Sequence, residues 1–216
     1  KILENFNIPH TGSKHLSSAL SMNKILSKKI YRDSGLKTPF SMHVNLDDLS
    51  RDSILEIYHG MPGPYVVKPA TGGSSIGVRI VNMRPELEEA IVSAFEYSPQ
   101  VLVEEFISGK EVFAGVLDSF RNKKLYSLIP VSEKPLNASE KNDIEEMSTK
   151  AHEILQLRHY SSSDFIIHPK RGIFILETDV LPPLHQKSPF YKSLQNIGAK
   201  FSDFLHHIIS LAMNRR

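Results

Sequence analysis

Three carboxylates fall in two short segments toward the C-terminal end: Asp164 in SSDF, residues 162–165, and Glu177 and Asp179 in LETD, residues 176–179. The stretch between them is patterned as a tight hairpin. Ile166 and Ile167 lead into a turn, His168-Pro169-Lys170-Arg171-Gly172, and an apolar run over residues 173–176 returns from it. Asp164 and Glu177 are then expected on neighbouring strands. Strand side chains alternate, so Glu177 and Asp179 should point one way and Thr178 the other. Three hard oxygen ligands brought to one point suit Mg2+. Proteins hold that ion with only one or two carboxylates and leave the rest to substrate phosphates, so the expected partner is a molecule that carries phosphate.

A cradle for such phosphates is offered by KPATGGSSIGV, residues 68–78. The β-branched run before it and residues 78–81 after it read as strands, so this glycine-rich segment joins two strands. Gly72, Gly73 and Gly77 permit sharp backbone turns that present successive N–H groups, and Ser74 and Ser75 add hydroxyl donors. Lys68 would neutralise charge beside them. The lysine precedes the glycines and no helix-opening GK[ST] follows, so this is not a Walker A loop. Glycine-serine turns also serve merely to connect strands.

The elements that must position these groups are legible from periodicity. Helices are predicted over residues 17–34, with a stripe of Leu20, Met22, Ile25, Leu26, Ile30 and Tyr31, and over residues 47–59, 85–95, 139–157 and 201–213. Strands are predicted over residues 101–106, and a second hairpin over 111–117 and 124–131. The segment after Pro182-Pro183 reads as irregular up to residue 201. This order of elements is α+β with mostly antiparallel pairing.

Composition sets bounds. The chain has 216 residues, 40% hydrophobic and 23% charged, the proportions of an ordinary globular domain. Its net charge of +2 does not point to nucleic acid. Lys28, Lys29 and Arg32 on one helix, and Arg215 and Arg216 at the end, read as solvated faces. There is no cysteine, which excludes disulfides and thiolate chemistry and fits a reducing compartment. No apolar run reaches about 18 residues, so no membrane span is expected. His152-Glu153 opens like a zinc-protease helix but lacks the second histidine, and the ten histidines show no metal spacing. The chain begins at Lys1 with an apolar stretch, from which a preceding segment is expected, with residues 1–16 as its remnant.

Taken in order, these segments resemble the ATP-grasp fold, and within it the D-alanine–D-alanine ligases. IPHTGSKHLSSALSMNK (residues 8–24) is similar to that family's entry to its central domain, KPATGGSSIGV to its phosphate loop, VLVEEFISGKE (residues 101–111) to its adenine-binding strand, and ETDVLPP (residues 177–183) to its metal and substrate segment. The resemblance implies a phosphate-loop lobe over residues 17–107 and a metal-site lobe over residues 108–216, with ATP and Mg2+ between two lobes of mostly antiparallel sheet. It places Lys24 and Lys68 on the ATP phosphates, Glu104 on the adenine amino group, and the backbone of Glu105 and Ile107 along the ring edge. Phe106 and Leu176 become apolar walls, Glu111 the ribose reader, Asp164, Glu177 and Asp179 the metal ligands, and Ser188 a contact to the second substrate. Lys68 and Ser188 are the expected catalytic residues. The implied reaction phosphorylates a carboxylate and lets an amine displace phosphate, joining small amino acids for cell wall biosynthesis in the cytoplasm. Neither nucleic acid nor membrane takes part, and a homodimer is allowed.

Departures from the family pattern cluster on the chemical step. Ser162 stands where the family has an arginine, and serine cannot replace a fixed cation. Pro183 stands where a glycine donates its N–H to an oxyanion, and proline has none to give. The loop that the family folds over the phosphates is shortened, with Lys134 as the available stand-in. Ser188 also has a plainer reading, as the cap of a turn before Pro189, and Asp179 replaces the usual asparagine. A ligase therefore competes with a degenerate ATP-grasp domain that binds nucleotide or a partner without ligation, and with a purely structural α+β domain.

Overall fold

The computed structural model describes residues 1–73 and 75–214, so Ser74, Arg215 and Arg216 lie outside the described residues. Two four-stranded antiparallel sheets form the frame. The first has the order β1-β4-β2-β3, from β1 (Ser41–Asn45), β2 (Tyr65–Pro69), β3 (Arg79–Val81) and β4 (Gln100–Glu105). The second has the order β6-β5-β7-β8, from β5 (Lys110–Asp118), β6 (Leu125–Ser127), β7 (Tyr160–His168) and β8 (Gly172–Asp179). Among the described residues eight α-helices accompany them: α1 (Ile2–Asn5), α2 (His15–Met22), α3 (Lys24–Asp33), α4 (Arg51–Gly60), α5 (Arg84–Ala94), α6 (Ala138–Ile154), α7 (Pro189–Asn196) and α8 (Phe201–Met213).

Alternation along the strands decides what each face does. On the first sheet Tyr65, Val67, Val81, Val101 and Val103 join Ile54, Ile57, Leu87 and Ile91 of α4 and α5 in one core. The opposite face therefore presents Val66, Lys68, Ile80, Leu102 and Glu104. On the second sheet Val112, Ala114, Phe165 and Ile175 pack with Tyr31 of α3 and Ile144 and Ala151 of α6. A third core joins Leu117 and Tyr160 to Phe190 of α7 and Phe204 and Ile208 of α8. Phe190 approaches where Gly115 leaves room, since a Cβ there would sit 3.0 Å from its ring and 2.7 Å from Leu128.

The helix ends follow their caps. Asn137 and Glu140 close a reciprocal box at the start of α6, and Ser50 and Ser53 do the same for α4. Two expectations need correction, and one strand is added. The single helix over residues 17–34 is two, because the Asn23 side chain accepts from Ile25 N–H and Leu26 N–H and starts a new helix there. Residues 41–45 form a strand, and the stretch before residue 201 contains α7, begun by the Ser188 cap with Pro189 in its first turn. Packing also crosses chain order, for α2 and α3 lie against β8 of the second sheet although they precede the first. Among the described residues no helix is long and apolar enough to cross a membrane.

Candidate nucleotide site

The predicted hairpin forms, and its register sorts the acids. Asp164 pairs with Glu177 and Ser162 with Asp179, so all four side chains share one face, while Ser163 and Thr178 share the other. The pairing then shifts from Asp164↔Glu177 to Phe165↔Ile175, which leaves Leu176 as an extra residue in β8. This bulge puts Ile175 in the core and Glu177 on the open face. Glu111 lies on the same face, one row along, since it pairs with Ile166. Burial, together with Glu177, Asp179 and Glu111, pushes the Asp164 carboxyl up to about 7. The Asp179 carboxyl is raised by burial and Glu177.

The three acids share one face of the second sheet. Among the described residues no group of three or more His, Asp or Glu side chains forms a ready metal cage. Glu177 leans instead toward Lys24, whose Nζ is 3.6 Å from Glu177 Oε2 and donates to Gly72 O at 2.9 Å. The donor set still fits Mg2+. It consists of hard carboxylate oxygens that repel one another, on an open face where phosphate oxygens could supply the remaining ligands.

Helix α3 supplies three of the side chains that organise this site. Lys24, Lys28 and Tyr31 are spaced i, i+4 and i+7 and so lie on one face. Lys24 reaches the glycine loop and Glu177. Lys28 is 1% exposed, and its Nζ meets Thr38 Oγ1 at 2.5 Å, Pro39 O at 3.3 Å and Glu104 Oε1 at 2.7 Å. Tyr31 donates to Thr178 Oγ1 at 2.8 Å, and Ser21 of α2 donates to the Thr178 carbonyl at 2.5 Å. Thr178, fastened from behind, therefore fixes the two acids on either side of it. Two expectations are reversed here. Lys28 is not on a solvated face, and the buried stripe of α2 and α3 is Ser17, Ser21, Ser27, Lys28 and Tyr31, while Met22 and Leu26 are exposed.

Glu104 is 2% exposed, with Lys28 on one oxygen and Lys68 Nζ 2.5 Å from the other. Burial alone would raise its pKa, but the two lysines outweigh that and hold it below the ordinary carboxylate range. Holding lysines, rather than accepting from adenine, is what its surroundings account for. Beside it the glycine loop turns through positive φ at Gly72 (+110°) and Gly77 (+73°), with Ser75 also at positive φ. A Cβ on Gly77 would sit 2.8 Å from Pro69, whereas Gly72 and Gly73 face open space.

The remaining expected residues take varied positions. Phe106 is exposed at the end of β4, Leu176 is half-buried, and Glu111 is exposed at the rim. Ile80 and Val66 extend the apolar wall beside Glu104 and carry no motif of their own. The Glu105 side chain forms a two-pronged pair with Arg171 of the β7–β8 turn at 2.7 and 2.8 Å, and its Oε1 also accepts from Phe40 N–H. This pair ties the first sheet to the second. The Glu105 backbone N–H donates to Phe40 O, and Ile107 is buried. Ser188 is buried, and its hydroxyl accepts from Tyr191 N–H as the cap of α7. Lys134 is exposed in the turn before α6. His152 is a core residue, between Ser161 Oγ at 2.7 Å and Asp118 Oδ1 at 2.9 Å.

Known proteins share this arrangement. The chain superposes on a D-alanine–D-alanine ligase of Bacillus anthracis complexed with ATP, with a TM-score of 0.85 and 27% identity over 98% of this chain and 72% of that one. It superposes on the VanG D-Ala:D-Ser ligase of Enterococcus faecalis with a TM-score of 0.88 and 27% identity, covering 98% and 67% respectively. The fold is ATP-grasp, and the chain is an enzyme of the ATP-grasp ligases that form C–N bonds. A D-alanine–D-alanine ligase of Syntrophobacter fumaroxidans is 32% identical over 234 residues, spanning 98% of this chain and 74% of the relative. The family model for the D-ala D-ala ligase C-terminus matches residues 30–135 and 126–210. The chain belongs to the D-alanine–D-alanine ligase family.

Proposed function

We propose that the chain is an ATP- and Mg2+-dependent carboxylate-amine ligase of the D-alanine–D-alanine type. It would activate the carboxylate of one small amino acid as an acyl phosphate and join it to the amine of a second. Lys24, Lys68, Ser74, Ser75 and the N–H groups of residues 72–77 would hold the triphosphate. The backbone of Glu105 and Ile107 would read the adenine edge between Phe106, Leu176, Val66 and Ile80, with Glu111 on the ribose. Asp164, Glu177 and Asp179 would hold Mg2+, whose chemistry is to neutralise charge on the phosphate oxygens. The residues themselves would contribute positioning and fixed charge, which is most of what phosphoryl transfer needs. Such an enzyme would work in the cytoplasm, without nucleic acid or membrane, and could pair as a homodimer.

The observation that carries this reading is the position of Lys24 Nζ, which reaches both the glycine loop at Gly72 O and the acid face at Glu177. One lysine at both is what a triphosphate lying between them requires.

A second reading, nucleotide binding without ligation, is favoured by Ser162, by Pro183 and by the short connection from β6 to α6. The two segments of the family match overlap at residues 126–135, from the end of β6 into that connection. Loss of one oxyanion donor alone typically lowers turnover by about 10²–10³-fold. The two readings are separated by measuring ADP and phosphate release from Mg-ATP with a panel of D- and L-amino acids, alongside calorimetric ATP titration. Release that depends on an amino acid supports the ligase. ATP binding without turnover supports the second reading, and no ATP heat at millimolar nucleotide would overturn both.

A further inference from the structure

Lys28 has no place in the nucleotide reading above, yet it is among the largest fully buried side chains of the molecule. Its ammonium is enclosed by three oxygens: it donates to Thr38 Oγ1 and Pro39 O and makes an ion pair at 2.7 Å with Glu104 Oε1. Such saturation is costly to build, since burying an ion loses several kcal/mol of hydration unless its partners replace it (on the order of that size). Burial still lowers the Lys28 pKa to about 8, with Glu104 pulling the other way. The far oxygen of Glu104 holds Lys68 Nζ, which is 11% exposed at its side chain and lies on the same sheet face.

We propose that Lys28 is a positioning residue for Lys68, acting through Glu104. The chain of contacts has two cations and one anion. With Lys28 present, Glu104 is shared and Lys68 keeps a net positive charge for phosphate. Without Lys28, Glu104 neutralises Lys68 alone, and the carboxylate is free to swing toward it. Glu104 is then the element through which a lysine that never touches substrate sets the charge of one that does.

This inference rests on Lys68 meeting the ATP phosphates, and a charge-count cycle tests the two separately. Mg-ATP affinity of the whole chain is measured by calorimetry for Lys68→Met, Lys28→Met and the double variant Lys28→Met/Glu104→Gln, with thermal unfolding as a check on folding. Lys28→Met is expected to weaken ATP binding about tenfold, and the double variant to recover to within about threefold of the parent, because Lys68 regains its unshared charge. A purely structural role for Lys28 would give losses that accumulate, not recovery. If Lys28→Met does not fold, the double variant decides, since removing a buried charge pair together is tolerated far better than removing one member. The proposal is overturned if Lys28→Met binds ATP like the parent, or if the double variant stays tenfold weaker. If Lys68→Met leaves ATP affinity unchanged, the nucleotide reading fails and this inference falls with it.

Discussion

The two sheets carry opposite charge on one face each and handle it differently. On the first, one buried glutamate is shared between Lys28 and Lys68, leaving a positive surplus in a dry setting. On the second, Glu111, Asp164, Glu177 and Asp179 line one face, and among the described residues only Glu177 has a lysine within ion-pair distance. A buried charge must find its partner within the protein, or the fold loses more than the contact returns. A charge at the rim can wait for a ligand. The positive side is therefore finished by folding and the negative side is left to be completed by binding.

The sharpest way to break this contrast is Glu177→Gln. Activity is expected to fall by about 100-fold or more while the unfolding midpoint barely moves, because the acid face would serve a cation and not the core. Amino-acid-dependent phosphate release reads the first and thermal unfolding the second; a folded variant with parental turnover would end the claim that this face holds the ion.

Thr178→Val attacks the same strand from behind. It strips the acceptor from Tyr31, whose hydroxyl burial keeps protonated, and the contact with Ser163 Oγ. A cost of about 1–3 kcal/mol is expected, read from the denaturant midpoint. No loss of stability would mean that the buried side of β8 does not depend on α3.

The smallest effect is a pH slope. Asp164 is held up at about 7 against an ordinary 3.8, so the folded chain keeps a proton that the unfolded chain has released. Stability from this group is complete below about pH 4 and is lost as pH climbs through about 7. The melting temperature should fall from pH 5 to pH 8, the slope should flatten in Asp164→Asn, and Mg2+ with ATP should restore more at pH 8 than at pH 5. An identical slope in the variant would place the crowding of charge elsewhere.

The acid hairpin was readable because alternation and a turn signal act over a few residues. Its bulge at Leu176 was not, since the core that Ile175 must enter includes Tyr31 of α3, which lies far away in sequence. Strand β4 and helices α5, α6 and α8 follow their local patterns closely. Helix α7 was missed because Gln195, Asn196 and the Ser188-Pro189 start look like loop chemistry until Phe190 is seen against Gly115. The polar stripe of α2 and α3 inverted the usual rule, for Ser21 and Lys28 face inward where Thr178 of β8 and Glu104 of β4 offer them acceptors. Lys28 at i+4 from Lys24 was the available clue. The charge of Glu104 could not be assigned to lysines from spacing alone, because Lys28, Lys68 and Glu104 come from three separate elements.

Helix α3 touches the glycine loop, the shared glutamate and the acid strand through positions four and then three residues apart. One residue inserted between Lys24 and Lys28 would turn everything beyond it by about 100° and advance it by about 1.5 Å. No repacking of one neighbour could recover all three appointments. The length of this short helix is thus a dimension of the site itself, and variation in it should be far less tolerated than substitution along its outer side.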